Sequence, residues 1–222
     1  MIRGGAVNIT GLVTSVKNKG DSGRLVEIFT QDKGIVYVFA PGARRLFSKY
    51  MALTRLFAIV SLECVPNGEF YLLKDGRQLG GFESIERDAI KFAIVADVVK
   101  NLRIVSQNST NKEKISALLM VLAELADKCG DFEVDSKALL TAVDKVYIYV
   151  LAYEGMDVTG LARRARYSDA LVAMCEYMKG HTVSHVMTDE KVFENSDEAY
   201  CTLADIYREQ FDMTIDKDII RI

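Results

Sequence analysis

Gly34-Ile-Val-Tyr-Val-Phe-Ala-Pro-Gly-Ala-Arg-Arg-Leu-Phe-Ser-Lys49 carries an alternating segment straight into a Pro-Gly break and then into three positive charges. Ile35, Tyr37 and Phe39 alternate with Val36, Val38 and Ala40, which predicts a strand largely covered on both faces. Pro41 cannot donate to a ladder and Gly42 turns easily, so the strand stops there. Arg44, Arg45 and Lys49 then sit on a loop that the strand delivers to the surface. Guanidinium groups held in that way fork readily onto phosphate oxygens. The plainer alternative is a solvated basic turn.

Outward from this stretch, the first part of the chain predicts short strands separated by turn signals. Besides 34–40 they cover 6–16, 25–30, 56–65 and 70–74, with a loop at Gly20-Asp-Ser-Gly23 and a hairpin turn at Pro66-Asn67-Gly68. The interval 46–56, between the third and fourth strands, is long enough for a short helix. Five strands with a helix in that place predict an OB-fold, a small barrel that often takes single-stranded nucleic acid. A five-stranded SH3-like barrel is the alternative.

Charge separates this part from the remainder. The chain carries a net −3, yet residues 1–80 hold 11 Lys and Arg against 6 Asp and Glu, whereas residues 81–222 hold 17 against 25. An excess of cations confined to one domain points to a polyanionic partner for that domain. Lys17, Lys19, Arg24, Arg44, Arg45, Lys49 and Arg55 are the cations expected to neutralise phosphates. Tyr37, Phe47 and Tyr50 are candidates for stacking on bases, with burial the alternative for each and favoured for Tyr37.

The second part changes period from two to 3.6. Ile90, Ile94, Val98 and Leu102 mark a helix over 85–105, and Thr110-Asn-Lys-Glu113 reads as a capping box that opens another, stopped by Gly130. A third covers 137–153 and ends at Gly155, and shorter helices fit 168–178 and 196–211, each opened by a Ser cap. The expected class is therefore α+β, with an OB-fold domain over 1–80 and an all-helical domain over 81–222.

Catalytic chemistry finds little to work with here. The P-loop, the dinucleotide glycine fingerprint, the Gly-x-Ser-x-Gly elbow and His-Glu-x-x-His are absent, and His181 and His185 are the only histidines. Those two could clip a metal together with Cys175 or Cys201 if they lay on a helix, but no Cys-x-x-Cys accompanies them and a solvated loop is the favoured reading. No metal, cofactor or enzymatic activity is expected. The four cysteines, Cys64, Cys129, Cys175 and Cys201, are far apart and fit reduced thiols. The N-terminus leads into a strand pattern and no apolar run reaches the length of a membrane span, so a cytoplasmic location is expected.

Several of these elements together resemble the RecO recombination mediators of bacterial DNA repair. They are Thr10-Gly-Leu-Val13, Phe29-Thr30 with Gly34 behind it, Gly42-Ala-Arg-Arg45 followed by Ser48-Lys49, and Leu53 with Leu56-Phe57. The segment Tyr147 to Gly155 is similar to the apolar helix that precedes the family's zinc module. There the pattern departs, since 158–167 holds no cysteine, and zinc binding is not carried over. The resemblance implies binding of single- and double-stranded DNA and annealing of complementary strands without ATP. It also implies cooperation with RecR to load recombinase onto strands coated by single-strand-binding protein. The acidic tail of that protein needs cations beside an apolar notch, and Arg163, Arg164 and Arg166 are the dense basic cluster of the second part. A protein-interaction scaffold whose barrel has no significant DNA affinity is the competing reading.

Overall fold

The alternating segments of the first part close on one another. In a computed structural model that describes residues 5–81, 85–128, 136–164, 169–186, 189, 192 and 194–218, β1 (Val7–Lys19), β2 (Gly23–Thr30), β3 (Gly34–Ala40), β4 (Ala58–Asn67) and β5 (Phe70–Gly81) form a closed barrel. Around it the neighbour order is β1-β2-β3-β5-β4. Every pairing is antiparallel except β3 with β5, which run parallel through Val38↔Tyr71 and Phe39↔Leu72. That order, with helix α1 (Tyr50–Leu53) between β3 and β4, is the OB-fold and not the SH3-like alternative.

The barrel is filled by the inward residues of its strands, among them Ile9, Val26, Val38, Val60, Leu62 and Leu73, and α1 adds Leu53. Burial of such side chains stabilises the barrel by about 1.5–3 kcal/mol each. Closure brings backbones together at Gly11, where an added Cβ would lie 2.3 Å from the carbonyl oxygen of Phe29, so no side chain fits.

Four local expectations are corrected by the barrel. The outer face of β3 is only partly covered: Val36, Val38 and Ala40 are buried, Ile35 and Phe39 are half-buried, and Tyr37, expected inside, is 41 % exposed. The helix expected over 46–56 is the single turn α1, because Phe47 adopts a φ of 60° that no helix accommodates. Asn67 pairs with Phe70, so the β4–β5 turn is Gly68-Glu69, with Gly68 at φ 66°, and Pro66 and Asn67 belong to the strand. Finally, β5 runs on to Gly81, beyond the expected end at residue 74.

Two compact units account for the chain: Met1–Phe82 with Ser106–Asp127, and Glu83–Val105 with Lys128–Ile222. Among the described residues the barrel is followed by α2 (Ala89–Asn108), α3 (Lys112–Lys128), α4 (Ser136–Tyr153), α5 (Val158–Arg164), α6 (Asp169–Gly180), α7 (Val183–Val186) and α8 (Ser196–Phe211). The expected start of α2 moves inward because Asp88 caps it, its Oδ1 accepting from the amides of Ile90 at 3.0 Å and Lys91 at 3.1 Å. Those bonds hold the Asp88 carboxyl below the ordinary range. At the end of α4, Gly155 takes φ 80°, and the bonds from Gly155 N to Ala152 O and from Met156 N to Leu151 O form a Schellman motif. The N-cap of α8 is Asn195, not Ser196, which is buried inside the first turn; Ser168 and Gly130 lie outside the described residues.

A polar network fixes the interior of the second unit. Asp97 Oδ2 accepts from Asn101 Nδ2 at 2.7 Å and from the Tyr200 hydroxyl at 3.1 Å, and Asn101 Nδ2 also reaches the Tyr147 hydroxyl at 3.1 Å. The Tyr207 hydroxyl donates to the Tyr147 carbonyl at 3.1 Å, with the two rings 4.8 Å apart. Among the described residues, no helix is long and apolar enough to cross a membrane.

Candidate nucleic-acid interface

The loop after β3 is held at both ends by backbone bonds. Gly42, at φ 70°, turns the chain; Arg44 N donates to Ser22 O at 2.9 Å, Arg45 N to Gly42 O at 3.0 Å, and Ser48 N to Arg45 O at 3.1 Å. Arg44 adds a side-chain clasp, its Nη2 donating to the carbonyl oxygens of Gly20 and Asp21. The cationic loop and the β1–β2 turn are thereby one rigid piece, and Lys19 stands immediately before that turn. Rigid presentation lowers the entropic cost of gripping a phosphate.

The expected cations are not equivalent in this arrangement. Lys17, Lys19, Arg44, Arg45 and Lys49 are exposed, whereas Arg24 and Arg55 are half-buried. Arg24 Nη1 donates to Thr54 O at 3.2 Å and to Thr54 Oγ1 at 3.1 Å, so its guanidinium braces β2 against the end of α1. Lys49 pairs with Asp75 at 3.0 Å on the open surface. This bond raises the Lys49 pKa and holds the Asp75 carboxyl down. Such exposed pairs exchange readily for other partners.

Aromatic rings are interleaved with these charges. Lys19 Nζ lies 4.4 Å from the Phe70 ring centroid and 5.8 Å from that of Phe39, and the two rings meet edge to face at 6.2 Å. Lys33 Nζ is 5.9 Å from the Tyr71 ring. Of the three expected stacking residues, Tyr50 is half-buried with its hydroxyl on Lys74 O at 2.7 Å, while Tyr37 and above all Phe47 are open to solvent. The Lys19–Phe70 approach was beyond sequence reasoning, because it depends on two turns meeting at one end of the barrel.

In the second unit the basic cluster is partly engaged. Arg163 Nη2 binds Glu176 Oε1 at 3.0 Å and Arg164 Nε donates to Gly160 O at 3.2 Å; Arg166 lies outside the described residues. Arg163 and Arg164 end helix α5, in a stretch where the sequence pattern predicts no helix. His181 and His185 stack with ring centroids 4.9 Å apart, and Tyr177 stacks on His181 at 3.8 Å. His181 Nδ1 bonds Tyr177 O at 2.7 Å. Cys64 and Cys175 are free thiols, and burial pushes that of Cys64 up to about 12 and that of Cys175 up to about 11; Cys201 is half-buried, and Cys129 lies outside the described residues.

Comparison with known proteins bears on the barrel above all. A family profile described as "Recombination protein O N terminal" matches residues 4–82. The DNA repair protein RecO of Thermoanaerobacter sp. (strain X514) is 18 % identical over 134 residues, which are 60 % of this chain and 53 % of that protein. The RecO of Caldanaerobacter subterraneus subsp. tengcongensis is 23 % identical over 130 residues, covering 59 % of this chain and 51 % of its own. That of Symbiobacterium thermophilum is 23 % identical over 146 residues, with 66 % and 56 % covered. The chain thus spans about half the length of the curated relatives it matches.

Proposed function

We propose that this chain, whose N-terminal barrel matches the RecO family, is a non-enzymatic, cytoplasmic mediator of DNA repair and recombination. Residues 1–80 serve as the DNA-binding domain and residues 81–222 as the part that meets protein partners. The barrel binds single- and double-stranded DNA through Lys17, Lys19, Arg44, Arg45 and Lys49, brings complementary strands together, and does so without ATP. Electrostatic screening by bound cations lowers the repulsion between two strands and needs no hydrolysis. RecR and the acidic C-terminal tail of single-strand-binding protein are the partners, with Arg163, Arg164 and Arg166 facing the tail. Recombinase loading on coated strands follows from those contacts.

One observation carries the reading furthest: the Arg44 clasp that ties the cationic loop to the β1–β2 turn beside Lys19, on a barrel of this family. The scaffold alternative draws on the internal engagement of Arg24 with Thr54, of Lys49 with Asp75 and of Arg44 Nη2 with the Gly20 and Asp21 carbonyls, which subtracts donors from the interface. Duplex formation from complementary oligonucleotides, followed with and without the protein and without nucleotide, separates the two. Acceleration that disappears when Arg44 and Arg45 are both replaced by Ala supports the mediator. Absence of any gel shift with either DNA form supports the scaffold.

A further inference from the structure

Phe47 occupies a backbone position that ordinarily belongs to glycine. The bond from Ser48 N to Arg45 O, 3.1 Å long, makes Arg45 to Ser48 a four-residue turn with Phe47 in its third place, at φ 60°. A positive φ there is the mark of turns that select Gly or Asn, since a Cβ crowds the neighbouring carbonyl. The ring gains no shelter in return, for Phe47 is 92 % exposed and its neighbour Leu46 80 %. A strained residue that leaves a large apolar ring in water works against stability twice, and strain of that kind collects at binding sites.

Charge around the ring decides what it meets. Along the chain no Asp or Glu occurs between Asp32 and Glu63, while Arg44, Arg45 and Lys49 all lie within three residues of Phe47; of these, Lys49 meets a carboxylate in space, that of Asp75. The loop that carries it is clasped to the β1–β2 turn by Arg44, so the ring is held out on a fixed base. A polyanion whose units each offer a flat aromatic face answers both features: cations take the phosphates and the ring takes a base. Bases in an intact duplex are already stacked on each other and offer that face only at ends and gaps.

Building on the DNA-binding reading above, we propose that Phe47 is a stacking finger for an unpaired nucleobase, with Arg45 on the adjoining phosphate, and that it makes the barrel favour single strands over duplex.

The chain contains no tryptophan, so Phe47→Trp creates a single fluorescent reporter at the proposed contact. The full chain carrying that change, the Phe47→Gly variant, the Arg44→Ala/Arg45→Ala variant and the unaltered protein are each titrated with a labelled oligonucleotide, single-stranded and as its duplex. Phe47→Gly suits the positive φ and should melt no lower than the parent, so a binding defect in it is not a folding defect. Its single-strand affinity should drop by roughly 5- to 100-fold, the range that loss of one base–aromatic stack produces, with a far smaller change for duplex. The indole emission of the Phe47→Trp variant should be quenched by single strands and not by duplex at equal occupancy. Unchanged strand preference in Phe47→Gly, or indole emission indifferent to saturating single strand, overturns the finger while DNA binding stands. Failure of the unaltered protein to bind either DNA form overturns the DNA reading itself and the finger with it.

Discussion

Lys19 Nζ stands 4.4 Å from the centroid of the Phe70 ring, so the strand that enters the β1–β2 turn meets the strand that leaves the β4–β5 turn. In an OB-fold those two turns flank the surface used for nucleic acid. The contact fixes their separation without neutralising the ammonium, because an aromatic face attracts a cation through its quadrupole and carries no net charge. Lys19 is therefore positioned and still available to a phosphate. A double-mutant cycle of Lys19→Gln and Phe70→Leu, read by urea denaturation, should give a coupling of about 0.5–1 kcal/mol. A coupling of zero would mean that the two turns are not held together by this pair.

Salt dependence measures how many cations the interface uses. With Arg24 bracing Thr54 and Arg55 half-buried, five of the seven cations remain for phosphates, for a log-log slope of affinity against salt of about −3.5 on single strands. Replacing Arg44 and Arg45 together by Ala should weaken binding to all sequences alike and make the slope shallower by about 1 to 1.5. Filter binding at several salt concentrations gives both numbers. An unaltered slope would place the strand on another surface.

Arg24 should behave as a structural residue. Its Nη1 serves both the carbonyl and the hydroxyl oxygen of Thr54, which is itself fully buried and donates to Tyr50 O at 2.7 Å. Truncation removes a charged donor from a buried acceptor pair, so Arg24→Ala should cost about 2–3 kcal/mol of stability. Lys17→Ala, on the same end of the barrel but exposed, should stay within about 0.5 kcal/mol. Equal denaturation midpoints for the two variants would refute the bracing role.

Periodicity made the strands and long helices legible, since a covered face leaves its mark at every second or every third to fourth residue. The Gly155 stop of α4 and the break after Ala40 were legible for the same local reason, each resting on one residue's backbone preference. What escaped was set by distant partners. Nothing near Arg24 in sequence says that Thr54 will meet its guanidinium, and nothing near Lys49 announces Asp75. The positive φ of Phe47 escaped because Phe is a poor choice for it; local preference misleads where a residue is kept against it. The hint available was an apolar Leu46-Phe47 pair inside an otherwise cationic loop.

The interior of the second unit makes a prediction about pH. Asp144, on α4, is fully buried and neither of its carboxylate oxygens has a hydrogen-bond partner among the described residues; burial, and then repulsion from Asp197, push its pKa well above the ordinary range. Asp97 is pushed the same way by burial, in part offset by its bond from Tyr200. Groups whose folded-state pKa is raised bind protons more tightly in the native state, so the stability they contribute is complete below pH of about 4 and is lost as pH climbs through the folded pKa. Lys145, next along α4, is buried with its Nζ 3.9 Å from the Tyr149 ring centroid, and burial lowers its pKa to about 8. Its folded pKa is depressed, the unfolded chain holds that proton more tightly, and stability rises as pH goes from about 8 towards 10. The two effects have opposite slopes, the carboxyls lowering stability as pH rises and Lys145 raising it above pH of about 8. Asp144→Asn, which retains the shape and removes the charge, should stabilise the protein by about 1–3 kcal/mol at pH 7 and have much less effect at pH 4. Lys145→Met should abolish the rise above pH 8 and leave the acid side as it was. Urea denaturation of the three proteins at pH 4, 7 and 9.5 reads all of this. A constant offset between Asp144→Asn and the parent at every pH would show that the Asp144 carboxyl does not titrate with folding.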